Sequence, residues 1–399
     1  MPGTFQLPSL DSIRAHFPAL AGNTVFFENA GGSQVPRAAI QAISRFLECD
    51  NIQTGATYPE SERATQLVND ARDYANELFN GTGLGRVTFG MSSTALLRML
   101  ADAYLDNLKP DDEVIIANTG HEANIGPWLR LEKFGATVRW WEVNRESFEC
   151  TLDDLRDLLN ERTKFVVFPH VSNLLGDIVD VAEITRLAHA VGAKVIVDGV
   201  AFAPHRAIDV EAWGCDWYVF SCYKVYGPHM AALWGRNEAY DELIGPNHFF
   251  IPKNYPSKFE LGCLPYESLA GLLATRDYFE FLGGTREAFN AMQGLERPLQ
   301  DALIDYLRMN RSVRIVGPNH GDTSRVSTIS FVHDKVPSET IVDRAVKAGF
   351  GIRSGHMYAY RLCEALGIPP EQGVVRVSPV HYNTPDEMDR FIRVLEGIL

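Results

Sequence analysis

The sequence has few of the features that mark several large protein classes. Its 399 residues contain no run of about 18 apolar residues and no basic, apolar N-terminal leader, so we expect neither a membrane span nor secretion. The six cysteines form no CxxC pair and no metal-ligand spacing, which predicts reduced thiols in the cytoplasm and no metal site. Acidic residues outnumber basic ones by 51 to 37, and the net charge of −14 disfavours nucleic acid and membrane as partners. Small molecules are the partners that remain.

Three common ligand-binding and catalytic motifs are also absent. The segment Gly81-Thr-Gly83-Leu-Gly85 lacks the glycine spacing of a dinucleotide-binding loop, and there is no Walker phosphate-binding loop. The segment His121-Glu-Ala-Asn-Ile125 has isoleucine where a zinc protease needs its second histidine. These absences argue against a nucleotide-binding protein and against a zinc hydrolase.

What the sequence does contain is the alternation typical of an α/β fold. Short runs of β-branched and aromatic residues alternate with segments of helical periodicity, and such apolar strands need helices on both faces. This pattern predicts a mostly parallel sheet between helix layers, with ligands at the carboxyl ends of the strands. The predicted strands are 87–89, 114–117, 138–143, 165–168, 195–197, 218–221 and 231–234, and the predicted helices include 94–107 and 152–160.

A second unit is predicted towards the C-terminus. A long helical stretch at 286–309 is followed by new strands at 313–316 and 326–331. We therefore predict a large domain over 30–284 and a smaller domain formed by 1–29 together with 285–399.

An acid and an amine follow two of the predicted strands. Asp198 ends the apolar run Lys194-Val-Ile-Val-Asp198, and Lys224 comes shortly after the run 217–221. This pair suits pyridoxal phosphate (PLP), because a lysine can bond its aldehyde carbon as a Schiff base while an acid pairs with its pyridinium nitrogen. On their own, the two residues are equally consistent with a loop cap and a solvated amine.

Three further features lie at predicted strand ends. Ser92, Ser93 and Thr94 open a helix, where free N–H groups attract phosphate, although an ordinary N-cap has the same appearance. His121 can lie flat against a cofactor ring or be a hydrogen-bonded loop residue. Asn173 can donate to a ring oxygen or form a turn. Together with the acid and the amine, they are five chemically coherent features at the ends of predicted strands. Chance is a poor explanation for finding all five at one edge of a sheet.

Five longer motifs resemble those of one family. They are Phe26-Phe-Glu-Asn-Ala-Gly-Gly32, His121-Glu-Ala-Asn-Ile-Gly-Pro-Trp128, Tyr223-Lys-Val-Tyr-Gly-Pro-His229, Arg353-Ser-Gly-His-Met-Tyr-Ala359 and His381-Tyr-Asn-Thr384. The chain resembles the class V aminotransferases among the fold-type I PLP enzymes, and within them the cysteine-desulfurase-like subgroup. The resemblance runs from about residue 26 to the C-terminal helix.

The resemblance implies a fold, a cofactor and an assembly. The fold is that of a fold-type I PLP-dependent transferase: a mostly parallel mixed sheet between helix layers and a smaller C-terminal α+β domain. The cofactor is PLP, the substrate is an amino acid, and the assembly is a homodimer with its site at the interface. The segment 259–263 matches a loop that reaches the partner's phosphate.

The resemblance also assigns roles by position. The catalytic residues are Lys224 as the Schiff-base lysine, Asp198 on the pyridine nitrogen and His121 on the ring. Cofactor binding is assigned to Ser92, Ser93, Thr94, His121, Asn173, Asp198, Ser221, Tyr223, Lys224 and Cys263, and substrate binding to Asn173, Arg376, Arg353 and Tyr358. Arg376 binds the substrate carboxylate; its alternative, a surface ion pair, is disfavoured by the apolar strand around it.

Three positions depart from the family pattern. Tyr358 stands where cysteine desulfurases carry the nucleophilic cysteine, and a phenol cannot form a persulfide. Ala201 replaces a glutamine or histidine beside the ring oxygen, which leaves room for substrate. Cys263 replaces a phosphate-contacting threonine, either as a weak substitute or as a small packed residue.

The leading hypothesis is therefore an amino-acid transformation through a substrate Schiff base and a Cα carbanion, with lyase-like or carbon–carbon bond-forming chemistry. His356, Tyr358 and His381 are candidates for a second acid or base, or packed loop residues. The alternatives are a cysteine desulfurase or selenocysteine lyase using another thiol, a racemase or aminotransferase, and an inactive binding protein on the same fold.

Overall fold

In a computed structural model, the described residues are 7–252 and 256–399. The strands are β1 (Val25–Phe26), β2 (Gly85–Gly90), β3 (Glu113–Ala117), β4 (Thr137–Trp141), β5 (Thr163–Pro169), β6 (Lys194–Asp198), β7 (Trp217–Ser221), β8 (Ala231–Arg236), β9 (Val313–Val316), β10 (Ile329–His333), β11 (Phe350–Gly351), β12 (Arg353–Gly355) and β13 (Val374–Val377). The α-helices are α1 (Leu10–Ala15), α2 (Arg37–Cys49), α3 (Pro59–Phe79), α4 (Ser93–Ala103), α5 (Gly126–Leu129), α6 (Leu152–Leu158), α7 (Val181–Ala190), α8 (Val210–Trp213), α9 (Asn237–Asp241), α10 (Tyr266–Phe281), α11 (Thr285–Met309), α12 (Ser338–Lys347), α13 (Tyr360–Ala365) and α14 (Pro385–Glu396).

The central sheet has seven strands in the order β2-β8-β7-β6-β5-β3-β4. All neighbours pair in parallel except β8, which runs antiparallel to both β2 and β7. The predicted mostly parallel mixed sheet between helices is thus confirmed. Because β5, β6 and β7 run in the same direction, their carboxyl ends meet at one edge, and side chains that follow them come together there.

Burial on both faces explains why the central strands are so apolar. In β6, Val195 and Val197 pack into one core cluster, while Ile196 between them packs into a second cluster on the opposite face. Successive side chains of a strand point to opposite faces, so a strand covered on both sides has no polar alternation. The apolar run therefore holds until Asp198, the last residue of the strand.

A smaller antiparallel sheet, in the order β12-β13-β10-β9, forms the predicted C-terminal α+β unit. Its core includes Leu303 of α11, Phe331 of β10, Val375 of β13 and Phe391 of α14. The N-terminal segment joins this unit, since β1 pairs with β11 in parallel and Glu28 forms an isolated bridge with Ser378. The exact boundaries at 29/30 and 284/285 stay predictions.

Several element boundaries differ from those predicted from the sequence, and those of β4, β10 and α4 are three examples. Strand β4 ends at Trp141 instead of 143, because the N–H of Val143 donates to the side chain of Asn118. Strand β10 begins three residues late, at Ile329, because the carbonyls of Val326 and Thr328 accept from the buried Arg325 guanidinium. Helix α4 ends at Ala103, and a separate turn of 3₁₀ helix follows at Leu105–Asn107.

Within residues 7–252 and 256–399, every helix is either too short or too polar to cross a lipid bilayer.

Candidate active site

A cleft opens at the carboxyl edge of the central sheet, at the ends of β5, β6 and β7. It brings together most of the residues assigned from the sequence. Those that line it are Ser92, Ser93, Thr94, His121, Asn173, Asp198, Ala201, Ser221, Tyr223 and Lys224. Their roles stay predictions, but their placement in one cleft follows from the parallel strand order.

One end of the cleft is the start of helix α4. Ser92 is the N-cap, and its hydroxyl accepts from the N–H of Ala95 at 3.1 Å. The hydroxyl of the buried Ser93 lies 2.8 Å from that of Ser221 at the end of β7. The first turn of α4 thus faces the cleft with free backbone N–H groups, the positive end of the helix dipole and a pair of hydroxyls. This arrangement suits a phosphate.

Asp198 is a buried carboxylate, with 6% of its surface exposed. Its Oδ1 accepts from the backbone N–H of Val200 at 3.0 Å. Burial raises the pKa of Asp198, while that N–H and the charge of Lys224 oppose the rise. Among the described residues, no lysine, arginine or histidine lies within ion-pair distance of it, so the carboxylate lacks a direct cationic partner.

Lys224 lies in the short 3₁₀ turn Cys222–Lys224 that follows β7. Burial and the nearby charge of Arg376 lower the pKa of Lys224 to about 8, although Asp198 and Glu28 oppose the shift. A buried amine with a pKa near neutrality has a substantial fraction in its neutral form, the form that can bond to a carbonyl carbon.

These three groups fit PLP by their chemistry. The start of α4 offers donors for the phosphate, Asp198 is an acid in need of a cation for the ring nitrogen, and Lys224 supplies an amine for the aldehyde. In the part of the chain that is described, no three His, Cys, Asp or Glu side chains are grouped to hold a metal ion.

His121 forms a side wall of the cleft. Its Nδ1 accepts from the N–H of Ala123 at 3.0 Å, which leaves the proton of the neutral ring on Nε2. Burial, followed by the charges of Lys224 and Arg376, lowers the pKa of His121 to about 4. The imidazole is therefore neutral at physiological pH.

Arg376 lies behind the cleft wall and is 3% exposed. Its Nη1 donates to the carbonyl of Asn173 at 3.3 Å, whereas its Nε has no hydrogen-bond partner. Burial lowers the pKa of Arg376 to about 10. No acid lies within ion-pair distance among the residues described, and the side-chain oxygen of Asn173 is also buried without a partner. A buried guanidinium without a counter-ion favours binding of a carboxylate from outside.

The sequence reasoning gave no role to Glu28, whose charge raises the pKa of both Lys224 and Arg376. Glu28 reaches the site because it bridges to Ser378 beyond β13, a contact between residues 350 positions apart. Its side chain also accepts from Arg353 at 3.1 Å. No local pattern around Glu28 signals this placement; only its position within the 26–32 family motif could have drawn attention to it.

Besides Arg376, two residues assigned to substrate binding lie outside the lining of the cleft. In the backbone register of the sheet, Arg353 of β12 lies opposite Arg376 of β13. The side chain of Arg353 is nevertheless largely exposed and forms an ion pair with Glu28. Tyr358 is 68% exposed, and its ring stacks on His121 with centroids 5.0 Å apart and an angle of 27°. His356 accepts from the N–H of Tyr358 at 3.1 Å and so belongs to the same turn.

His381, a candidate acid or base, is instead enclosed by two phenols. Because the Tyr226 hydroxyl donates to the carbonyl of Pro204, it accepts from Nδ1 of His381 at 3.1 Å. Nε2 then accepts from the Tyr278 hydroxyl at 2.5 Å. Burial lowers the pKa of His381 to about 3. Both ring nitrogens of His381 are therefore hydrogen-bonded. Because Tyr226 and Tyr278 belong to the large unit, His381 connects the C-terminal unit to it.

Cys263 lies away from the cleft of its own chain. It is exposed, and its thiol donates to the side-chain oxygen of Gln53 at 3.4 Å. Its assigned phosphate contact therefore requires the partner subunit and stays a prediction.

Comparisons with known proteins identify the family of the chain. Residues 25–391 match the family model "Aminotransferase class-V". The chain is 38% identical to the aminotransferase-like protein FGM3 of Gibberella zeae, over 98% of each protein. It is 32% identical to the cysteine desulfurase-like protein ustD of Aspergillus flavus, over 98% of this chain and 90% of that protein. The solved structure of the cysteine desulfurase CsdA of Escherichia coli superposes with a TM-score of 0.84, at 25% identity and over 98% of each chain.

The predicted family, fold type and cofactor are therefore confirmed. The chain belongs to the class V aminotransferase family of PLP-dependent, fold-type I enzymes and is of the cysteine-desulfurase-like kind.

Proposed function

We propose that this enzyme transforms an amino acid by lyase-like or carbon–carbon bond-forming chemistry, and that it does not form a persulfide. The observation that carries the proposal is Tyr358, a phenol at the position that matches the nucleophilic cysteine of desulfurases. No cysteine is among the described residues that line the cleft. Cys222, the first residue of the turn that carries Lys224, is buried, and burial raises the pKa of its thiol, which keeps it protonated and unreactive.

Arg376, Lys224 and His121 each have a separate role in such a reaction. PLP, when bound, supplies a ring that withdraws electrons from a bond at the substrate Cα. Arg376 holds the substrate carboxylate and so fixes which Cα bond is broken. Lys224, with a pKa of about 8, can both accept and deliver a proton near neutral pH. Neutral His121 offers an N–H without adding a positive charge.

The second candidate is a cysteine desulfurase or selenocysteine lyase. It is favoured by relatives named as cysteine desulfurases, such as that of Synechococcus elongatus, 30% identical over 98% of this chain. Because that likeness covers 63% of the relative's length, it carries less weight than the substituted nucleophile.

A product assay separates the two. We expect the holoenzyme, incubated with single amino acids with and without an aldehyde as second reactant, to give new amino-acid products detectable by mass spectrometry. With cysteine and a thiol reductant, we expect sulfide and alanine to stay at the level of a heat-inactivated control. Stoichiometric sulfide and alanine at a rate comparable to the best other substrate would contradict the proposal and favour the second candidate. Racemised substrate or pyridoxamine phosphate as the main product would also contradict it.

We further propose a homodimer in the cytoplasm. Phe249 is 99% exposed, and Phe250 and Leu261 are each 67% exposed, next to the segment that carries Cys263. Exposed apolar side chains clustered along one segment favour burial against a partner. All six cysteines are unpaired, which favours a reducing compartment. We expect sedimentation to give twice the chain mass of 44.5 kDa, and a purely monomeric active enzyme would contradict the homodimer.

A further inference from the structure

The turn after β12 has an unusual backbone. Met357 and Tyr358 have φ values of 48° and 61°, in the left-handed region that residues with a side chain rarely adopt. Such a backbone conformation is strained for residues with a side chain, so the surroundings must hold it in place.

Three hydrogen bonds hold the two residues in place. The side-chain amide of Asn173 donates to the carbonyl of Met357 at 2.8 Å, and the N–H of Glu122 donates to the carbonyl of Tyr358 at 2.8 Å. The N–H of Tyr358 donates to Nδ1 of His356 at 3.1 Å. Asn173 lines the cleft and Glu122 follows His121, so the turn is fixed directly to the wall of the site.

An ion pair strengthens the same connection. Nε of Arg361, in α13, donates to the Glu122 carboxylate at 3.1 Å, and its guanidinium lies 5.4 Å from the centroid of the Trp140 ring. Glu122 therefore holds the turn through its backbone and the following helix through its side chain. The stem of the turn is fixed on both sides.

The result of these contacts is the position of the Tyr358 ring. It lies nearly parallel to the His121 ring, at 5.0 Å and 27°; His121 lines the cleft, whereas Tyr358 is exposed and outside the lining. The hydrogen bond from the N–H of Ala123 fixes the edge of the same imidazole. Two contacts, one in the plane and one on the face, thus define its orientation.

We propose that Tyr358 is a positioning residue that acts through His121, holding the imidazole against the cleft and covering its outer face from water. The hydrogen bond from Asn173 and the ion pair between Glu122 and Arg361 keep the turn in the conformation that places the Tyr358 ring there. This inference rests on the proposed function and deepens it. At the position where desulfurases carry a nucleophilic cysteine in a flexible loop, this chain has an aromatic ring held in a fixed place.

The test is the ionisation of His121 in the holoenzyme, followed by NMR with isotope-labelled histidine. A His121→Gln variant identifies the signal. Tyr358→Ala removes the cover and lets water reach the ring, so the pKa of His121 should rise by about one unit towards its ordinary value, although Lys224 and Arg376 still oppose protonation. Tyr358→Phe keeps the ring and should leave the pKa unchanged. If the alanine variant is unstable, Tyr358→Leu, which lacks the aromatic ring, serves in its place.

Kinetics give an independent readout. Tyr358→Ala should lower kcat for the best substrate roughly tenfold with KM unchanged, whereas Tyr358→Phe should restore it. Phe134→Ala, which removes a half-exposed aromatic ring outside this turn, is the control and should change neither value. An unchanged His121 pKa in the alanine variant, or equal loss in the phenylalanine variant, would overturn the inference. An error in the proposed reaction class would leave the NMR result untouched, so the two failures are distinguishable.

Discussion

Replacement of Lys224 by alanine is expected to reduce turnover by at least about 10⁴-fold, the scale on which loss of a covalent catalytic group acts. Lys224 is the only lysine in the cleft lining as described, so no neighbouring amine can take over its bond to PLP. The variant should also lose the visible absorbance of PLP bound through an amine. Absorbance spectra and product formation measure both effects. A Lys224→Ala variant that keeps full colour and activity would contradict the assigned role.

The pKa of Lys224 gives this prediction a pH dependence. Since burial lowers that pKa to about 8, the neutral, reactive amine increases as pH rises through 8. The rate at which wild-type protein stripped of PLP takes up fresh PLP should therefore increase over that range. The alanine variant should show no such increase. Lys335→Ala, which removes an exposed lysine, is the control and should behave as the wild type.

Replacement of Arg376 by methionine is expected to lower kcat/KM roughly a hundredfold. The lost contact is a buried charge pair with the substrate carboxylate, worth about 3 kcal/mol, and each 1.4 kcal/mol is about tenfold. The loss should shrink for a substrate amide, because an amide already lacks the charge that Arg376 binds. Steady-state kinetics with the amino acid and its amide measure this difference.

The same substitution should act on stability in the opposite direction. The guanidinium is buried without a counter-ion, and burial disfavours its charged form, so an apolar side chain of similar length relieves that cost. We expect the Tm of the substrate-free variant to equal or exceed that of the wild type. A lower Tm together with unchanged kcat/KM would show that Arg376 serves the fold and not the substrate.

Much of the fold was predictable because its signals are local. Strands buried on both faces, such as β6, read as continuous apolar runs, and the helices between such strands indicate a mostly parallel sheet. Two of the errors lie where a side chain competes with the ladder. Asn118, 25 positions away, takes the N–H of Val143, and Arg325 takes the carbonyls of Val326 and Thr328 within its own segment. Neither contact follows from the apolar pattern that predicted the strands.

The candidate site was predictable to the same extent. Asp198, Asn173 and Ser221 follow parallel strands directly, so the sheet alone brings them together. The role of Glu28 was not predictable, because it depends on a bridge between the two ends of the chain. Likewise, nothing near Tyr358 in the sequence indicates that its ring lies on His121, since the turn that places it depends on Glu122 and Asn173.

The buried contact of His381 opposes hinge motion between the large unit and the C-terminal unit. His381 is hydrogen-bonded to Tyr226, which lies two residues after Lys224. His381 itself lies five residues after Arg376. The bond therefore connects the segment that carries Lys224 to the segment that carries Arg376. Any hinge opening between the amine and the guanidinium would have to break a buried imidazole–phenol contact, at a cost of about 1 to 3 kcal/mol. We therefore expect the two groups to keep a constant separation throughout the catalytic cycle, so that reactants enter and leave past the rim of a rigid frame.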